Sequence, residues 1–190
     1  MRERFGLPLL SFLAVLLALS GCAPVQLISS YDETTELAAS QLQRDFAAFF
    51  VRIASATDPE QRAFKNNIDF YREAAVDFSA LQVRVGAIYR NQITSGQIDL
   101  TQTNFAYLIL LHKGCVTGPL TDAQRAAVEQ MGPDLSMDCQ TLYDASQDVK
   151  NRGDVRLSPI VASVPQKLID QQLGAILALE LAKKRGEDKE

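Results

Sequence analysis

The chain has 190 residues, of which 47% are hydrophobic and 22% charged, a balance that permits one packed globular core. Formal net charge is −4 and the only dense basic run is Lys183-Lys184-Arg185, which argues against nucleic acid as a partner, since that calls for a basic patch. One histidine, no C-x-x-C spacing and no G-x-S-x-G, H-E-x-x-H, phosphate-loop or EF-hand pattern give no motif for a metal, a cofactor or a catalytic nucleophile.

The first 21 residues differ from the rest. Arg2 and Arg4 form a basic start, and Leu7 to Leu19 is an almost continuous apolar run of about 13 residues. A bilayer-spanning helix needs roughly 20 apolar residues, so the run fits a signal segment better than a span. Leu19-Ser20-Gly21-Cys22 then resembles the bacterial lipobox. That resemblance implies cleavage between Gly21 and Cys22, with a diacylglyceryl group on the Cys22 thiol and a further acyl chain on the new amino terminus. Two or three acyl chains make a stable membrane anchor where one gives marginal binding. An ordinary secretory signal with an incidental cysteine is the alternative. Ala23, rather than Asp, follows the cysteine; by resemblance to enterobacterial lipoproteins this implies the outer membrane of a Gram-negative bacterium, facing the periplasm.

Loss of residues 1–21 removes Arg2, Arg4 and Glu3 and leaves 17 basic and 22 acidic residues, a net charge of −5. Such a surface gains nothing from anionic lipid, so the acyl chains must supply the attachment. Export also places Cys115 and Cys139 in an oxidising compartment, where they are expected to pair. In the chain-entropy picture a closed loop of about 25 residues stabilises the fold by roughly 3–4 kcal/mol. Two buried free thiols are the alternative.

Residues 22–31 read as a lipidated tether and 32–185 as an all-α domain. Asp32 is placed to cap a helix running to about Ser55, with Ala38, Leu42, Phe46, Phe49, Phe50 and Ile53 at steps of three and four. Asp58-Pro59-Glu60-Gln61 predicts a capped start for a second, long helix ending near Asn91, its apolar stripe comprising Phe64, Ile68, Tyr71, Ala75, Phe78, Val85 and Ile88. Thr94 and Gln97 form a second capping box, before a third helix over about 95–113. Folding the two into a hairpin near 92–94 sets Ile98 against Ile88, Phe105 against Leu81 and Val85, and Ile109 against Phe78. Thr121 and Gln124 predict a short helix to about Met131, and Asp138 to Lys150 another. The segment Arg156 to Pro165 reads as loop. A last helix starts near Ser163 and Pro165, with Lys183, Lys184 and Arg185 complementing its dipole; Gly186 ends it and 186–190 fray. The expected architecture is an elongated bundle of about four principal helices with a short helical excursion pinned by a disulfide.

His112 falls on the apolar stripe of the third helix, opposite Ala74 or Ala75 and within reach of Glu73 or Asp77. A hydrogen-bonded core histidine is the expectation, and a catalytic His112 with a carboxylate the rival. The acidic groups Asp32, Glu33, Glu36 and Asp69, Glu73, Asp77 suit a helix start and a solvated edge respectively.

The stretches "YDETTELAASQLQRDFAAFF", "ALQVRVGAIYRNQIT" and "LALELAKK" resemble a family of Gram-negative lipoproteins of unassigned activity, in which a lipobox is followed by a Tyr-Asp-x-x-Thr segment and an all-helical domain. The resemblance implies that Tyr31, Asp32, Arg84, Asn91 and Thr94 are functional or structural fixtures. From the residues alone, Asn91 and Thr94 fit a turn and a cap, Tyr31 a staple for the first helix, and Arg84 an ion pair with a neighbouring acid. The leading functional expectation is a non-enzymatic interaction or scaffold module, with an envelope protein as partner and no cofactor. The alternatives are a binder of a small apolar or lipid ligand lined by Phe46, Phe50, Phe64 and Phe78, and an enzyme built on His112.

Overall fold

The computed structural model describes residues 28–116, 118–131 and 156–187. Their secondary structure is helical throughout, apart from one isolated bridge between Ala63 and Arg156. The elements are α1 (Glu33–Ser55), two 3-10 turns (Pro59–Arg62 and Phe64–Asn66), α2 (Ile68–Ala87), α3 (Gln92–Lys113), α4 (Asp122–Met131) and α5 (Pro159–Glu187). α1 packs on α2 and α5, and α3 on α2 and α5, so these four close a ring, with α4 outside against α3. Every neighbouring pair in the ring runs antiparallel, giving an up-down-up-down bundle.

Each helix buries one stripe. On α1 it is Ala39, Leu42, Phe46, Phe49, Phe50 and Ile53; on α2 it is Tyr71, Ala74, Phe78, Leu81 and Val85. The last three turns of α3 are buried on every side, from Thr103 to His112, because three helices cover them. Phe46 touches Phe50, Phe70, Phe78 and Phe105, and Phe49 stacks on Phe70 at 4.1 Å. Phe64 stacks on Tyr71 at 5.1 Å. The rings proposed to line an apolar cavity therefore pack against one another or against neighbouring rings.

The second helix starts later than the sequence predicts. Asp58 does cap, accepting from the Glu60 amide at 2.9 Å, but it caps a 3-10 turn. The carbonyls that would propagate an α-helix have other partners. Arg62 O accepts from the Leu157 amide and from His112 Nε2, and Ala63 O from the Asn67 side chain. The hairpin register also differs. Phe105 meets Phe78, with ring centroids 5.3 Å apart, and His112 meets Tyr71. The reversal sits over 88–91 rather than 92–94, with Arg90 left-handed at φ 60°. That slip of about one turn moves His112 away from the neighbourhood expected for it.

The other boundaries follow the sequence or extend it. Asp32 caps α1, and the Thr121–Gln124 box forms in both directions. α5 begins at Pro159, accommodates Pro165 in its second turn and continues through Gly186, so Arg156 to Pro165 is helix for most of its length. Of the expected excursion, α4 is described, whereas Cys139 with its pairing, Asp138 to Lys150, the signal segment and the tail beyond 187 lie outside the described residues. Two glycines give opposite expectations for stability. Gly86 is helical and an added Cβ meets nothing within 4 Å, so Gly86→Ala should stabilise the domain by about 0.5–1 kcal/mol in urea unfolding. Gly114 ends α3 at φ 75°, so Gly114→Ala should destabilise it by about 1 kcal/mol.

Candidate functional site

The five residues singled out by resemblance converge at one end of the bundle, where α1 begins, α2 ends, α3 begins and α5 ends. Asp32 caps α1 because its Oδ2 accepts from the Thr35 amide at 2.9 Å and from the Thr35 hydroxyl at 2.6 Å. The same carboxylate takes a two-pronged contact from Arg84 near the end of α2, with Nε and Nη2 each 2.6 Å from an oxygen. The Arg84 guanidinium holds the Asp32 carboxyl far below its ordinary value of 3.8, outweighing the opposing effect of partial burial, and the Thr35 bonds add to this. Tyr31 donates through its hydroxyl to Glu36 at 2.5 Å and through its amide to Glu187 at 2.7 Å, while Lys184 Nζ stands 4.9 Å above its ring.

Beneath this surface layer is a buried one. Lys183 and Glu180, one turn apart on α5, have side chains only 2% and 0% exposed. The Lys183 ammonium donates to Glu180 Oε1 at 2.6 Å, Asn91 Oδ1 at 2.7 Å and Thr94 Oγ1 at 3.1 Å. An ammonium has three protons, and here each finds an acceptor. The Thr94 hydroxyl donates to Glu180 Oε1 at 3.1 Å, and the Asp32 amide donates to Glu180 Oε2 at 3.3 Å. Ser29 completes the set, its hydroxyl donating to Asn91 Oδ1 at 2.8 Å and its amide to Arg90 O at 3.1 Å. Thr94 is thus no cap. It lies inside the first turn of α3, two residues past the helix start, and links Glu180 and Lys183.

Glu180, Lys183 and Ser29 escape the sequence reading, yet a signal for the first two exists. The buried positions of α5 are Ala162, Pro165, Ile169, Leu173 and Ile176, and the same three-and-four stepping continues to Glu180 and Lys183. Reading the KKR run as a dipole complement describes Lys184 and Arg185; Lys183 faces inward. Leu168 and Leu181, apolar in chemistry but off this stepping, are exposed.

His112 is fully buried. Its Nε2 lies 2.7 Å from Arg62 O, which can only accept, so Nε2 carries a proton. Burial holds the Tyr71 phenol well above its ordinary value, and that hydroxyl donates to Nδ1 at 2.7 Å. Tyr71 and a main-chain carbonyl thus replace the expected Glu73 or Asp77. The role that follows is to pin the 3-10 turns onto α3. At that same far end Asp45, Phe49, Arg52, Asn67, Asp69 and Glu73 line a cleft of ≈ 300 Å³. Among the described residues no group of three or more His, Cys, Asp or Glu is placed to hold a metal ion. Cys115 is buried just past α3, where its amide closes a Schellman turn on Leu110 O at 2.9 Å. Gly21, Cys22 and Cys139 lie outside the described residues.

Two outcomes test this end. Lys183→Met strands the Glu180 carboxylate away from water and should cost about 3–5 kcal/mol, whereas adding Glu180→Leu should restore much of it, a double-mutant cycle read by urea unfolding. Asp32 contributes stability above its ordinary value of 3.8 that fades as pH falls below it. Between pH 5 and about pH 3 the unfolding midpoint of the native chain should therefore drop more steeply than that of Asp32→Asn. Compared with known proteins, the chain matches no family model, no curated protein and no solved structure.

Proposed function

We propose that this chain is a lipid-anchored envelope protein of a Gram-negative bacterium, held at the outer membrane by acyl chains on Cys22 and facing the periplasm. Its bundle acts as a non-enzymatic interaction or scaffold module for another envelope protein. The observation that carries the reading is the fastening of residues 29–32. Seven positions beyond Cys22 the backbone is already tied to the α2–α3 turn, and by Asp32 it is tied to α2 and α5 as well. A short leash fixed to a buried polar knot suits a bundle held in a set relation to the membrane. Among the described residues no helix is long and apolar enough to cross a bilayer, so in this reading attachment rests on the lipid. The same reading puts Cys115 and Cys139 in an oxidising compartment and pairs them.

Replacing Cys22 by Ser should abolish palmitate labelling and leave the precursor uncut, and persistent labelling would refute the anchor. The scaffold role should appear as a specific protein partner recovered from crosslinked envelopes. Recovery of nothing above background would count against it.

A further inference from the structure

We propose that the end of the bundle formed by Ile28, the α2–α3 turn and the first turn of α3 rests on the phospholipid surface itself, an inference that depends on lipid attachment at Cys22. Three large apolar side chains are exposed there, Ile28 at 39%, Tyr89 at 78% and Ile93 at 56%. The fold gathers them. The Ser29 amide bonds to Arg90 O, placing Ile28 beside the turn that carries Tyr89, and Ile93 follows two residues after Asn91. Arg90 lies over the Tyr89 ring, its guanidinium carbon 5.0 Å from the centroid, giving an aromatic with a cationic partner of the kind that settles at headgroup level.

The occupant is set by the leash. Five residues, 23–27, separate the acylated Cys22 from Ile28, and even fully extended the six steps reach only ~20 Å. This end of the bundle therefore cannot stand far from the lipid. Charge does not drive the contact. Asp32 is paired with Arg84, and Glu36 and Lys184 both engage Tyr31. Apolar burial at the interface supplies the attraction, so it should persist in salt.

The chain contains no tryptophan, so Tyr89→Trp and Val51→Trp each create a single fluorophore. Val51 is exposed near the far end of α1, roughly 27 Å along the axis from Glu33 at 1.5 Å per residue. Both lipidated proteins are placed in phosphatidylethanolamine–phosphatidylglycerol vesicles with brominated acyl chains. Bromolipid should remove about half of the Tyr89→Trp emission, in low and high salt alike, and leave Val51→Trp unchanged. Vesicle-bound protein with neither fluorophore quenched, or with both quenched equally, overturns the docking while the anchor stands. Crosslinking of position 89 between two copies, without quenching, overturns it in favour of self-association. A protein without acyl groups by mass spectrometry that fails to float with vesicles overturns the anchor and the docking together.

Discussion

An ammonium group removed from water must find a partner for each proton, and the end of this bundle is arranged to meet that demand for Lys183. Its acceptors come from three places in the chain: Glu180 on α5, Thr94 inside α3 and Asn91 at the helix junction. No one of these elements can turn or slide without breaking a bond to a desolvated charge. Moving α5 by one turn along α3 would carry the ammonium to the level of Ile98, where the surroundings are apolar. The network therefore fixes the rotation and register of the last helix, and through Asn91 and Ser29 it fixes the N-terminal segment too.

Stability and specificity come from different parts of the molecule. A buried ring such as Phe46 or Phe105 contributes on the order of 1.5–3 kcal/mol by leaving water. A buried ion pair comes near to breaking even, because desolvation offsets attraction. The aromatic middle thus holds the helices together without saying much about their alignment, since rings of similar size tolerate repacking. The polar knot at one end and the His112–Tyr71 contact at the other supply the alignment. Both lie on helix α3, the element covered on most sides.

The bundle itself was legible because three-and-four spacing survives in α1, α2 and α3 whatever the exact boundaries are. So was the cap at Asp32, since an acidic residue ahead of an apolar-periodic run has few other uses. Three things were not. The 3-10 turns after Asp58 depend on partners far along the chain, Leu157 and His112, which no local pattern reveals. The hairpin register hinged on placing the turn at Arg90, a residue with no turn signature that adopts a left-handed backbone. The knot was hidden by chemistry: Glu180 and Lys183 obey the periodicity of the buried stripe but look like surface residues, and periodicity was the better guide. Resemblance marked out Asp32, Arg84, Asn91 and Thr94 as a group, and their spatial convergence supplies a physical reason for the grouping.

The distance along the chain between the partners has a consequence for how the fold is reached. Phe78 and Phe105 close a loop of 27 positions, whereas the bond from Tyr31 to Glu187 spans 156. Loop-closure entropy favours the hairpin first and the fastening of the N-terminal segment late. A chain made from its amino end presents Ser29 to Asp32 long before Glu180, Lys183 and Glu187 exist. The segment nearest the start of the fold is then the last to be secured, and it stays accessible until the final helix closes over it.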